Sequence, residues 1–176
     1  MADIAHTPPH SSAQTTLQSD LKRARDLFMS GGEDSDRQAT EILMQALAAI
    51  KNPANQVPLD QVDSLTQLVH LLTKQGAGDL AGTWANTLYS SILGREEWLK
   101  KGTLQDAYVW ASKGLAFSGR LTEALNVEDR FLQNIARRVE RPGLAVVQSW
   151  FRSSIYHFHQ GHSTRALIIA TMASDE

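Results

Sequence analysis

Histidines 157, 159 and 162 are the densest set of potential metal ligands in the chain. Ligation from one helix needs partners at i,i+3 or i,i+4 on a single face. Here 157 and 159 point to different sides and 162 follows Gly161, so the three are expected on polar surface or in a groove, with no metal site. Two adjacent carboxylate pairs, Glu96 with Glu97 and Glu128 with Asp129, could suggest acid–base work. Neighbouring helical residues diverge by roughly 100°, so neither pair forms a dyad, and both are expected on solvated faces beside Arg95 and Arg130. Arg137, Arg138 and Arg141 are interrupted by Glu140 and lack the interleaved aromatics of a nucleic-acid site, which points to a solvated helix end. Trp84, Trp110 and Trp150 lie on apolar stripes and are expected in the core, whereas Trp98 sits in the short charged stretch REEWLKK. No P-loop, GxGxxG, GxSxG or HExxH occurs. No catalytic residue, metal or cofactor is therefore expected, and the chain reads as a noncatalytic protein.

Bulk properties narrow the partners. The 176 residues suffice for one core without disulfides, and the absence of cysteine excludes thiolate chemistry. A net charge of -2 and a pI near 6.3 provide no global field for polyanions, so nucleic acid is not expected as a partner. No apolar run reaches the roughly 18 residues of a membrane span, and the N-terminus lacks a basic start and an apolar stretch. The expectation is a soluble cytoplasmic protein with no membrane partner.

The elements that would position these residues are helices. Residues 1–16, with Pro8 and Pro9 among Ser and Thr, read as a disordered tail, and residues 17–176 as one helical domain. Apolar residues recur at helical spacing from Leu17 to Phe28, from Ala39 to Ile50, from Val62 to Leu72 and from Ala81 to Ile92. The same period continues from Ala107 to Leu115, Ala124 to Val139, Val146 to Phe158 and Ala166 to Met172, and no strand alternation appears. Ser35 with Gln38 reads as a capping box, Thr103 with Asp106 as a looser one, and Asp79 as a cap. Pro53 and Pro58 mark a loop, Pro58 suits the first turn of the next helix, and Pro142-Gly143 closes the third pair.

These helices repeat. Ala39, Ala81, Ala124 and Ala166 are separated by 42, 43 and 42 residues, and Gly76, Gly119 and Gly161 each lie five residues before an alanine. A glycine reversal followed by a small residue lets the two helices of a hairpin cross closely. AFSGRLTEAL (116–125), with Trp150 sixteen residues before Ala166 and Ala173 seven after it, resembles the tetratricopeptide repeat. Departures are a longer period than the usual 34 and Glu128 where that family has an aromatic; helix-pair solenoids of other kinds share a 40-residue period. The resemblance implies an all-α, right-handed α-solenoid of about four antiparallel helix hairpins whose first helices line a concave groove. Counting back from each alanine, Thr66, Val109 and Phe151 share one groove position, His70, Lys113 and Ile155 a second, and Lys74, Phe117 and His159 a third. A groove mixing aromatic and cationic side chains suits a peptide with acidic groups and apolar anchors. The function implied is a protein-binding adaptor, or a small chaperone covering an aggregation-prone bacterial secretion subunit. The alternatives are a ligand- or peptide-sensing regulatory domain, and a scaffold that self-associates through the C-terminal helix.

Overall fold

The computed structural model describes residues 11–136 and 143–174. Helices α1 (Ser11–Ser30), α2 (Glu33–Ile50), α3 (Val62–Lys74) and α4 (Gly78–Ile92) are followed by α5 (Lys101–Phe117), α6 (Leu121–Ala136), α7 (Leu144–His159) and α8 (Ser163–Ser174). Short 3-10 turns at Leu59–Gln61 and Glu96–Trp98 complete the described residues, among which there is no strand. The all-α expectation holds. Helix α1 begins at Ser11, upstream of the Leu17 at which its apolar stripe becomes legible. The tail expected over residues 1–16 otherwise falls on 1–10, which lie outside the described residues, as do Arg137, Arg138, Val139, Arg141 and Pro142.

Consecutive helices pair as α1/α2, α3/α4, α5/α6 and α7/α8, and each pair also meets the next, α2 against α3, α4 against α5 and α6 against α7. The register alanines explain the close crossings: Ala39, Ala81 and Ala124 are fully buried and Ala166 nearly so. Three of the reversals share one backbone geometry. Gly76, Gly119 and Gly161 have φ of 77°, 81° and 80°, the left-handed region that glycine enters without a Cβ penalty. The amide after each glycine donates five residues back, Ala77 to Leu72 O (3.0 Å), Arg120 to Leu115 O (2.9 Å) and His162 to His157 O (2.9 Å). This satisfies helix-end carbonyls that would otherwise lack donors.

Helix starts differ from the expected caps. Gly32 precedes α2, Ala77 precedes α4 and Lys100 precedes α5, each without a side-chain cap bond. Ser35, Asp79 and Thr103 therefore lie inside the first turns. The Pro53–Pro58 loop is instead anchored by tertiary bonds, the Val57 amide donating to Ser91 Oγ (2.9 Å) and Gln56 Nε2 to Ser90 O (2.9 Å).

Each junction between hairpins carries a buried carboxylate from the upstream side and a cation from the downstream side. Lys74 of α3 reaches Asp36 of α2 (2.5 Å), Arg130 of α6 reaches Glu96 before α5 (3.1 Å), and Arg152 of α7 reaches Glu128 of α6 (2.6 Å). Glu96 and Glu128 are thus not on solvated faces as their charged surroundings suggested; their neighbours Glu97 and Asp129 are. Glu96 also accepts from Tyr108 (3.1 Å) and Asn134 (3.3 Å). Burial acts to raise the Glu96 carboxyl, but bonds from its own amide, Arg130 and Tyr108 outweigh it and hold the group below the usual carboxylate range. Burial, then the Glu96 charge, pushes the Tyr108 hydroxyl up.

His157 likewise departs from the expected polar surface or groove. It is buried in the α7/α8 hairpin, nine residues before its register alanine, where the earlier hairpins place the buried Leu72 and Leu115. Its Nδ1 has no hydrogen-bond partner among the described residues, and its ring lies 5.8 Å from that of His162. Burial lowers its pKa first, Arg165 and His162 lower it further, and Asp129 opposes them. A histidine whose folded-state pKa lies below its unfolded value of 6.5 takes up its proton more readily when unfolded. Its stabilising contribution is therefore complete above about pH 6.5 and is lost as pH falls through that value towards the folded pKa. His157→Leu is expected to raise the melting temperature and to flatten its decline between pH 7 and pH 5, measured by thermal denaturation across that range. An unchanged slope would place the acid sensitivity elsewhere.

Candidate functional site: a groove along the first helices

The odd-numbered helices meet in turn along one surface, α1 against α3, α3 against α5 and α5 against α7. A row of rings crosses it. Phe28 of α1 meets His70 of α3 edge-on (5.4 Å, 74°), and His70 stacks on Trp110 of α5 (4.0 Å, 19°). Lys113, one turn along α5, holds its Nζ 4.7 Å from the Trp110 ring centroid, within cation–π range. Burial, followed by Lys74 and Lys113, lowers the His70 pKa, with Asp36 opposing. A neutral imidazole is what a close stack beside two cations requires.

Two cavities flank this row. The first, about 370 Å³, lies between α1, α3 and α5; Thr66 and His70 line it together with Arg25, Asp63, Asp106 and Trp110. The second, about 570 Å³, lies between α5, α7 and α8, with Val109, Lys113 and Phe151 on its walls beside Val147, Gln148 and Arg152. Five of the nine groove positions, Thr66, His70, Val109, Lys113 and Phe151, thus line these two cavities. Ile155 and His159 border a third, about 620 Å³, between α7 and α8. Lys74 and Phe117 line none of the three. Lys74 is held by Asp36, and the half-exposed Phe117 lies over the backbone of Gly78.

Trp110 belongs to the groove more than to the core where its stripe placed it, while Trp84 is buried and Trp98 is 72% exposed. Asp63 and Gln148 also went unnoticed in the sequence, and Asp106 was read there only as the partner of Thr103 in a cap. They occupy one repeat position, 18 residues before their alanines, and carrying the register one turn back along each first helix reveals them. Gln67, Trp110 and Arg152 form another such row.

Arg152 connects the groove to the core. Its Nε and a terminal nitrogen reach the two oxygens of Glu128 (2.6 and 3.0 Å), which also accept from Ser112 (2.6 Å) and Ser149 (2.5 Å). The Tyr156 hydroxyl, pushed up by burial, stands 3.1 Å from Ser112 Oγ. A carboxylate so fully engaged is a structural tie, and Glu128 lines none of the three cavities. Among the described residues no group of three His, Asp or Glu side chains could hold a metal ion, and no helix is long and apolar enough to cross a membrane. No protein-family model matches the chain, and neither does any curated protein or solved structure.

Proposed function

We propose that the chain is a noncatalytic protein-binding module, a tetratricopeptide-like right-handed α-solenoid of four hairpins, acting as an adaptor or small chaperone that holds a partner's polypeptide segment in its groove. The observation that carries this reading is the row Phe28, His70, Trp110 and Lys113, which continues past Val109 to Phe151 across four helices with a cavity on each side. Rings and an aliphatic wall supply apolar contact, and Lys113, whose ammonium meets a ring and, among the described residues, no carboxylate, supplies a charge for an acidic group.

The test is selection of peptides from a displayed library against the full chain, followed by affinity measurement on variants. Phe151→Ala and Lys113→Glu are each expected to weaken the selected peptide at least about tenfold, while Asn126→Ala on exposed α6 surface leaves it unchanged. Equal binding by all variants would place the interaction outside this groove.

A further inference from the structure

The repeat register exposes a second surface, on the last hairpin beside the groove positions Ile155 and His159. The residue after each register alanine is buried in the first three hairpins, as Thr40, Gly82 and Leu125, and in α8 it is Leu167, 69% exposed. The following hairpin covers the first two of these: Gln75 donates to Thr40 Oγ1 (2.9 Å), and Ser118 and Arg120 lie against Gly82. On the first helices, the partly buried Thr73 and Ala116 correspond to Phe158, 63% exposed. Phe158 and Leu167 flank the cavity of about 620 Å³ that Ser154, Ala166 and Ala170 floor. No described residue covers this face.

We propose that a second copy of the chain covers it, α7/α8 against α7/α8 about a two-fold axis. Three observations select this occupant. The face is apolar and nearly uncharged: α8 contains no acidic residue, its single formal charge, Arg165, does not line the cavity, and Ala170 stands where α6 has Glu128. A hairpin built like the internal ones would bring a cation to this junction and find no buried carboxylate, whereas two uncharged faces meet without like-charge repulsion. The face also carries both halves of a ridge-into-groove contact, the large Phe158 and Leu167 beside the small Ser154 and Ala170, so a two-fold can seat each ridge in the other copy's groove. Finally, the hairpin at the opposite end of the described chain presents Lys22, Arg23, Arg37 and Glu41, with Met29 as its large exposed apolar residue. Head-to-tail association would bury those charges against an apolar surface.

Light scattering or sedimentation on the full chain tests this. The mass should rise with concentration to a plateau at two chains, and Leu167→Lys and Phe158→Glu should each raise the dissociation constant by about tenfold or more. Both sites are exposed, so circular dichroism should show unaltered helicity in the variants, which separates lost association from lost folding. Met29→Lys, on the far hairpin, should leave the dimer intact. A mass fixed at one chain, a dimer indifferent to both α7/α8 variants, or a mass that climbs without plateau and falls in Met29→Lys would each overturn the proposal.

Discussion

Arg152→Met is expected to destabilise the chain by about 3–5 kcal/mol, the range for removing one partner of a buried ion pair. Glu128 is 1% exposed, and Arg152 is its only cationic partner among the described residues. Methionine preserves much of the apolar stem but leaves the carboxylate with Ser112 and Ser149 alone. Urea unfolding at neutral pH gives the free energy directly. The double variant Arg152→Met with Glu128→Leu separates charge from packing. Once the acid is removed no buried charge remains, and well-packed apolar replacements of ion pairs are often neutral. The residual loss should be about 1 kcal/mol for Ser149, whose hydroxyl loses its acceptor, and smaller for Ser112, which keeps the Tyr156 hydroxyl 3.1 Å away. A single variant costing no more than the double would show that Glu128 reaches water when Arg152 is gone.

Gly114→Ala should likewise destabilise, by about 1–3 kcal/mol, against the roughly 1 kcal/mol that replacing glycine in a helix interior ordinarily gains. A Cβ there would lie 2.7 Å from Ala85 Cβ, 2.8 Å from Val69 Cγ1 and 3.2 Å from Ala81 O. None of these is the free end of a flexible side chain, and the last is backbone, so α5 has to withdraw from α3 and α4 together. Gly102→Ala, also in α5, meets nothing within 4 Å and is expected to stabilise by about 0.5–1 kcal/mol. Opposite shifts in melting temperature, of the order of 2–4 °C per kcal/mol, would verify the pair. A gain in both would mean that the three helices do not meet as closely as these distances require.

The hairpins were legible in the sequence because burial at a helix crossing leaves a periodic trace. Ala39, Ala81, Ala124 and Ala166 announce the crossings, and Gly76, Gly119 and Gly161 the reversals. What escaped depends on residues distant in the chain. Nothing local to Glu128 reveals that Arg152 returns beside it, and its neighbours Asp129 and Arg130 imitate a solvated face. Helix starts were misjudged for a similar reason: Ser35 and Gln38 have the spacing of a cap, but the left-handed glycine at 32 already releases the chain into α2. His157 was recoverable, since the register puts it level with Leu72 and Leu115, and only its polarity disguised a core position. Of the groove, positions on one helical turn were readable from the repeat, while the ring stack of His70 on Trp110 depends on how far α3 and α5 approach.

The paired ions at the junctions also bear on how such a chain can be rearranged over evolution. A repeat invites duplication and loss of whole units, yet here the units are not interchangeable. Excising α3 and α4 would bring α5 against α2, and the position of Lys74 would then be filled by Phe117, its counterpart one period on. Asp36, 3% exposed, would face a phenyl ring in place of an ammonium. The order of the hairpins is thus written into acid and base partners that only one neighbour can answer.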